Sequence, residues 1–179
     1  MDLGLDEQQE MLKNFARDFL EKECPEQVVR EMEEDEKGYS PQLWKGMAQQ
    51  GGMGLIIPEK YGGTDMGLCE LTVLLEEFGR ALVPGPFIST VVLGGVPIME
   101  AGTEEQKTHY LPRLARGEEV PCFALTGPEA GSDAASMPDT GEVCRGDFRG
   151  QRNVLGIRLN WDKRYITLGP VATVLGLAF

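Results

Sequence analysis

Cys122–Met137 reads C-F-A-L-T-G-P-E-A-G-S-D-A-A-S-M. A short apolar run, Cys122 to Leu125, halts at Thr126; Gly127-Pro128 breaks it, and Gly131-Ser132-Asp133 follows among small residues. The pattern predicts a strand that feeds a loop of small side chains and exposed backbone N–H donors, where a flat ligand or a phosphate can come close to the main chain. The same residue types also compose an ordinary β-turn. The flanking sequence separates the two readings.

Upstream the texture is helical. Asp6 with Gln9 three residues on is a capping-box pattern, and Met11, Phe15 and Phe19, with Leu12, Ala16 and Leu20 beside them, make one wide apolar stripe ending near Cys24-Pro25. A weaker helix carries Val28, Val29 and Met32, and its acid run Glu33-Glu34-Asp35-Glu36 reads as a solvated end. Ser40-Pro41 opens a helix burying Leu43, Trp44 and Met47, which Gly51-Gly52 stops. Gly54-Leu-Ile-Ile-Pro58-Glu-Lys-Tyr61-Gly62-Gly63 forces an irregular connection. Helices follow over Cys69–Arg80, with Leu71, Leu74, Leu75 and Phe78 inward, and over Ser89–Ala101; Thr103-Glu-Glu-Gln106 caps a further one holding His109, to which no chemistry is assigned.

Downstream of about Val120 the spacing changes to short runs rich in Val, Ile, Thr and aromatics, parted by Gly, Asn and Asp. Strands are expected at Cys122–Thr126, around Val143–Phe148, and over Val154–Asn160, Arg164–Leu168 and Val171–Phe179. An all-helical domain therefore gives way to a β domain between Gly117 and Pro121. The last strand, V-A-T-V-L-G-L-A-F, has no closing turn or charge, so the chain is expected to be truncated there.

Composition narrows the function classes. Of 179 residues, 41% are apolar and 26% charged, as in ordinary globular proteins, and the net charge of −12 argues against nucleic acid and anionic membrane surfaces. Cys24, Cys69, Cys122 and Cys144 form no C-x-x-C pair and His109 is the only histidine, so neither a zinc site nor a disulfide framework is expected. Reduced thiols and an acidic, leaderless N-terminus place the expected location in the cytoplasm.

Several strings carry a resemblance. A-L-T-x-P-E-A-G-S-D-A, Ala124–Ala134, is similar to the signature of the acyl-CoA dehydrogenase family, and Lys163-Arg164-Tyr165-Ile166-Thr167 resembles that family's K-x-[aromatic]-[Ile/Val]-Thr flavin segment. G-L-x-x-P-x-x-Y-G-G, Gly54–Gly63, resembles the connection that runs past the acyl chain in the family, and Gly102–Glu118 resembles its sequence before the first core strand. The resemblance implies an α+β fold: an all-α helical domain over residues 1–119, then an incomplete antiparallel β-barrel-like domain over residues 120–179.

It also implies chemistry. A carboxylate removes the α-proton of an acyl-CoA thioester, and the β-hydrogen leaves as hydride to N5 of FAD, giving a trans-2-enoyl-CoA; electron-transfer flavoprotein is the implied acceptor and a homo-oligomer the implied assembly. Carried over by position, Phe123 and Leu125 offer main-chain groups to the pyrimidine side of the flavin. Thr126 faces N1 and the C2 carbonyl. Gly131 and Ser132 lie at the pyrophosphate, Ser132 also reaching toward the pantetheine arm of the substrate. Tyr165 covers one face of the isoalloxazine, and Thr167 bonds near N5. The competing readings are β-propensity for Thr126 and Thr167 and ordinary core or interface packing for Tyr165; with both motifs in register, the resemblance favours flavin contacts.

This sequence departs from the family at three points. Gly127 stands where most members have Glu. Val154–Phe179 and Met137–Gly141 resemble the long bacterial FadE-type branch, whereas residues before about 120 resemble the ordinary-length enzymes. The family's general base, a glutamate of a C-terminal helical domain, has no replacement here, so no catalytic residue is assigned and the chain alone is expected to be inactive. An acyl-CoA or nitroalkane oxidase shares the flavin segments, and a non-catalytic binding module is the alternative from another class.

Overall fold

A computed structural model of the protein describes residues 4–179. Six α-helices come first: α1 Glu7–Glu23, α2 Glu26–Glu33, α3 Pro41–Gln49, α4 Leu68–Arg80, α5 Val96–Ala101 and α6 Glu104–Ala115. Their starts follow from local chemistry. Gln9 N donates to Asp6 Oδ1 at 2.8 Å and Asp6 N to Gln9 Oε1 at 3.1 Å; Thr103 and Gln106 repeat the reciprocal cap on α6. Leu43 N donates to Ser40 Oγ, with Pro41 as the first helical residue of α3.

The main core joins Ala16 and Leu20 of α1, Leu43, Trp44 and Met47 of α3, Leu71, Leu74 and Phe78 of α4, and Met53 and Leu55 of the connection between α3 and α4. Only part of the expected α1 stripe is inward: Ala16 and Leu20 are buried, while Met11 and Phe15 are 67% and 51% exposed. Glu77 of α4 is buried and pairs with Arg17 of α1 and Arg80, locking the two helices together. A second cluster packs Ile57 and Tyr61 of the Gly54–Gly63 connection onto Leu111, Leu114 and Ala115 of α6. Gly63 is required there, because a Cβ would lie 1.9 Å from the Ile57 carbonyl oxygen.

The expected helix from Ser89 to Ala101 is continuous but not uniform. Ile88–Gly95 is a π-helical segment that passes into α5, with Val96 N donating to Val91 O. Pro97 has no N–H for the carbonyl one α-turn back, and Gly94-Gly95 soften the backbone, so the wider hydrogen-bond register wins. This segment abuts β1, Pro121–Ala124: a Cβ on Gly94 would lie 2.4 Å from Pro121 Cβ.

The sheet region has two pairs. β2 (Thr140–Phe148) and β3 (Gln151–Asn160) form an antiparallel hairpin, Arg149 and Gly150 turning with φ of 47° and 81°. β1 pairs with β4 (Val174–Leu177) in parallel, Phe123 opposite Gly176, because the whole hairpin lies in the connection between them. The α+β architecture is as expected, with one pair parallel and no closed barrel among the described residues. Two strand expectations are corrected. Arg164–Leu168 is not a strand: Tyr165 and Leu168 have φ of 58° and 62°, which no extended chain allows. The last strand is shorter than Val171–Phe179, since Gly169–Val171 is a 3₁₀ turn. Among the described residues, no helix is long and apolar enough to cross a membrane.

Candidate functional site

The two segments singled out in the sequence meet. Arg164 N donates to the Thr126 carbonyl at 2.9 Å, stitching Lys163–Thr167 to the end of β1. The Lys163 ammonium reaches further under the loop, donating to the Leu125 carbonyl at 2.8 Å, to Asp139 Oδ2 at 2.6 Å and to Met137 Sδ at 3.2 Å. The Lys163 and Asp139 side chains are 1% and 3% exposed. Asp139 Oδ1 accepts from Asp162 N at 2.9 Å, and the hydrogen bond from Lys163 holds its carboxyl below the usual carboxylate range. Gly127 N closes a tight turn onto Ala130 O, and a Cβ at the buried Gly127 would stand 3.1 Å from the Asp162 carbonyl oxygen. The glutamate common in the family therefore has no easy place in this loop.

The edge of β1 points in the same direction. Val120 O and Ala124 O accept from the β4 side, from Val174 N and Ala178 N. By the two-residue period of a strand, the main-chain groups of Phe123 and Leu125 face away from β4, toward the edge where Lys163 takes the Leu125 carbonyl. Thr126 is half-buried, and neither its N–H nor its hydroxyl has a protein partner among the described residues. The Thr126 hydroxyl is not among the buried unpaired side-chain atoms, so it stands open to an acceptor from outside the chain, water or ligand. Gly131 and Ser132 are exposed, and a Cβ built at Gly131 meets nothing within 4 Å. Tyr165 is 89% exposed and packs on nothing. Its left-handed backbone, with that of Leu168, is the kind of local strain that gathers at binding sites.

Thr167 borders a cavity of about 490 Å³ that runs between α4 and the π-helical segment. Leu75, Phe78, Phe87, Ile88 and Leu93 make it apolar, with Ser89 and Thr167 adding hydroxyls. Phe78 and Phe87 meet edge to face at 4.6 Å between ring centres. The Gly54–Gly63 connection does not border this cavity; Leu55 and its neighbours Thr64 and Met66 line a separate apolar one of about 150 Å³, beside α1. Lys163 and Asp139 received no role from sequence reasoning. Lys163 was visible only as the first letter of a motif, and nothing local marks Asp139 as its partner.

The loop and the strand edge thus offer outward N–H and hydroxyl groups on one side, beside an apolar slot. That donor set suits a flat heterocycle rich in acceptors, so FAD fits the residues present.

Comparison with known proteins agrees with the geometry. The family model described as acyl-CoA dehydrogenase, N-terminal domain, matches residues 6–118. Acryloyl-CoA reductase (NADH) of Anaerotignum propionicum is 40% identical over 141 residues, 78% of this chain and 35% of that protein. The CarC subunit of the caffeyl-CoA reductase–Etf complex of Acetobacterium woodii is 37% identical over 168 residues, 92% of this chain and 41% of its own length. The crystal structure of an acyl-CoA dehydrogenase complexed with FAD from Bacillus anthracis superposes with a TM-score of 0.81 at 32% identity, covering 97% of this chain and 29% of that one. The chain spans roughly two fifths of the curated relatives it matches. With the helical half matched in full and the sheet region superposing, the chain belongs to the acyl-CoA dehydrogenase family.

Proposed function

We propose that this chain is the helical part and the first sheet part of a flavin-dependent acyl-CoA dehydrogenase, divided into a helical unit over residues 1–119 and an FAD- and acyl-CoA-binding β unit over residues 120–179. The observation that carries the reading is the 2.9 Å bond from Arg164 N to Thr126 O, beside the unpartnered donors of Thr126. When bound, FAD supplies hydride acceptance from the β-carbon of an acyl-CoA. The chain's own residues bind and orient it. The Thr126 N–H and hydroxyl meet the N1 and C2 carbonyl edge, Phe123 and Leu125 line the pyrimidine side with main-chain groups, and Thr167 sits near N5. Gly131 admits the pyrophosphate with Ser132 beside it, and Ser132 also meets the pantetheine arm. Tyr165, already clear of the core, covers a ring face. Preorganised donors of this kind are worth on the order of a few kcal/mol each where charge develops.

The cavity bordered by Thr167 takes the acyl portion, since its walls are apolar where the chain would lie and hydroxylated toward the flavin segment. Asp139 is held by Lys163, and Asp133 Oδ2 accepts from Ser136 Oγ within its own loop, so neither is free to act as the base. Electron-transfer flavoprotein as acceptor, a cytoplasmic location and a homo-oligomeric whole protein complete the reading. The Etf complex named for the Acetobacterium relative supports the acceptor.

A second reading is favoured by the reductases among the relatives: the same carbon pair handled in the opposite sense, with an enoyl-CoA reduced. Titration of the purified chain with FAD, followed by flavin fluorescence, tests the shared core of both. Saturable quenching is expected, with about tenfold weaker binding for Thr126→Val from loss of a hydrogen bond near a charge. No quenching, or identical binding by the variant, refutes the proposal. Assays with acyl-CoA and enoyl-CoA, with the relevant acceptor or donor, then separate the two directions.

A further inference from the structure

The peptide group between Leu125 and Thr126 is held at its oxygen by a buried cation. Lys163 Nζ donates to that carbonyl at 2.8 Å while Asp139 Oδ2 neutralises it at 2.6 Å. The opposite end of the same peptide is the Thr126 N–H, which no protein group accepts among the described residues. A buried Lys–Asp pair is a poor stabilising device, because desolvation of the two ions offsets their attraction. The pair needs no third partner to be neutral, yet the ammonium is spent on a carbonyl. A cation on a carbonyl oxygen draws electron density along O=C–N–H and makes the N–H a stronger donor, as hydrogen bonds in series reinforce one another.

We propose that Lys163 is a positioning residue that acts through the Leu125 carbonyl, strengthening the Thr126 N–H toward the negative charge that gathers at the N1 and C2 carbonyl edge of a reduced flavin, with Asp139 fixing the ammonium under the loop. What Thr126 faces rests on the flavin reading above; the polarised peptide does not. The arrangement also explains a buried lysine in a loop otherwise built of small residues. It places a full positive charge close to the cofactor edge without exposing it to solvent or to the cofactor itself.

The test uses the full chain and three variants. Lys163→Met/Asp139→Asn removes both charges, so neither is left buried and unpaired. Lys163→Arg keeps the cation. Asp139→Asn keeps the lysine and loosens its seat. In the flavin-free protein, NMR is expected to show the Leu125 carbonyl-carbon and Thr126 amide-proton signals moved upfield in the double variant and restored in Lys163→Arg, with Asp139→Asn between them. The Ala178 amide, bonded to Ala124 O in the β1–β4 ladder, reports whether the strands stay paired and should not move. Unmoved Leu125 and Thr126 signals beside an intact ladder overturn the polarisation. If the double variant loses the ladder, Lys163→Arg and Asp139→Asn decide the matter by their separation from the unsubstituted chain. With FAD bound, the double variant is expected to favour the oxidised over the reduced form by about tenfold more than the unsubstituted chain, roughly a 30 mV fall in the two-electron potential, and Lys163→Arg to recover most of it. An unchanged potential overturns the role toward the cofactor. If the unsubstituted chain binds no FAD, the flavin reading and that role fall together, while the NMR result stands on its own.

Discussion

Replacing Glu77 with Gln removes one charge from the contact between α1 and α4. Glu77 is 3% exposed; its Oε1 lies 2.6 Å from Arg17 Nη2 and its Oε2 2.7 Å from Arg80 Nε. These bonds, Arg17 first, pull its carboxyl from the ordinary 4.5 down to about 2, against the opposing effect of burial. That drop, at about 1.36 kcal/mol for each tenfold change in proton affinity, gives an upper bound of about 3.4 kcal/mol. The two arginines are 39% and 41% exposed, so water screens the pairs, and about 2 kcal/mol is the expected loss. That corresponds to a fall in Tm of about 4–8 °C for a chain of this size. Because the folded value lies below the unfolded one, the stabilisation is complete above about pH 4.5 and disappears as the pH falls toward about 2. Urea unfolding followed by far-UV circular dichroism and by the fluorescence of Trp44 and Trp161 measures it. The gap between wild type and Glu77→Gln should be full at neutral pH and should close as the acid limit is approached. Equal stabilities at neutral pH, or a gap that persists unchanged in acid, would refute the ion-pair account and leave Glu77 as a shape-filling residue.

Gly94→Ala would push a methyl into Pro121, 2.4 Å from its Cβ; overpacking of this kind should lower stability by about 1–3 kcal/mol, and because Pro121 starts β1, FAD binding should weaken with it. Leu111→Ala opens a hole at a fully buried position that joins α6 to the Gly54–Gly63 connection. A loss of about 3 kcal/mol in urea unfolding is expected, with the dispersion of the β2–β3 amide signals unchanged. Tyr165→Gly relieves a left-handed tyrosine and adds unfolded-state freedom, two effects of about 1 kcal/mol and opposite sign. Stability should therefore stay level within about 0.5 kcal/mol while FAD affinity falls, which separates a ring-covering role from a structural one.

Much of the helical part is legible because its signals are local. The caps at Asp6, Ser40 and Thr103 involve partners three residues away, and a capping pattern in the chain is nearly the bond itself. The strip Arg164–Leu168 shows the opposite case. Tyr, Ile and Thr favour extended backbone, yet Arg164 N and Lys163 Nζ are bound to the end of β1 some forty residues earlier in the chain, and the chain turns left-handed at Tyr165 and Leu168. Tertiary hydrogen bonds outweigh a propensity worth a fraction of a kcal/mol per residue. Phe15 and Met11 fall outside the core for a related reason: periodicity marks a face, and the neighbours available decide how much of the face is covered. Motif strings pointed to two segments that the bond from Arg164 N to Thr126 O brings together. They gave no access to Asp139, which acquires its meaning only when Lys163 is laid against it.

The placement of the candidate site rests on polar ties as well as on the packing of Pro121, Cys122 and Ala124 of β1. The β2–β3 hairpin leaves Val143, Leu155 and Ile157 more than half exposed, so it buries little that could press the loop into position. What fixes the Thr126 loop is a short set of bonds: Arg164 N to Thr126 O, Lys163 to Leu125 O and Asp139, and Thr173 bridging Glu119 and Val120 at the root of β1. Glu119 in turn pairs with Arg113 of α6 at 2.7 Å, and Trp44 Nε1 donates to Gly117 O at 2.9 Å, so β1 is anchored to the helical core through the residues just before it. Apolar contacts tolerate sliding, whereas hydrogen bonds lose their strength steeply with misalignment. Directional bonds to a rigid strand therefore fix the orientation of the loop's N–H groups more sharply than a larger but less particular hydrophobic contact does. The helical unit ties to the root of β1 through Arg113–Glu119 and Trp44–Gly117, and Lys163 ties the loop at the other end of the strand to Asp139.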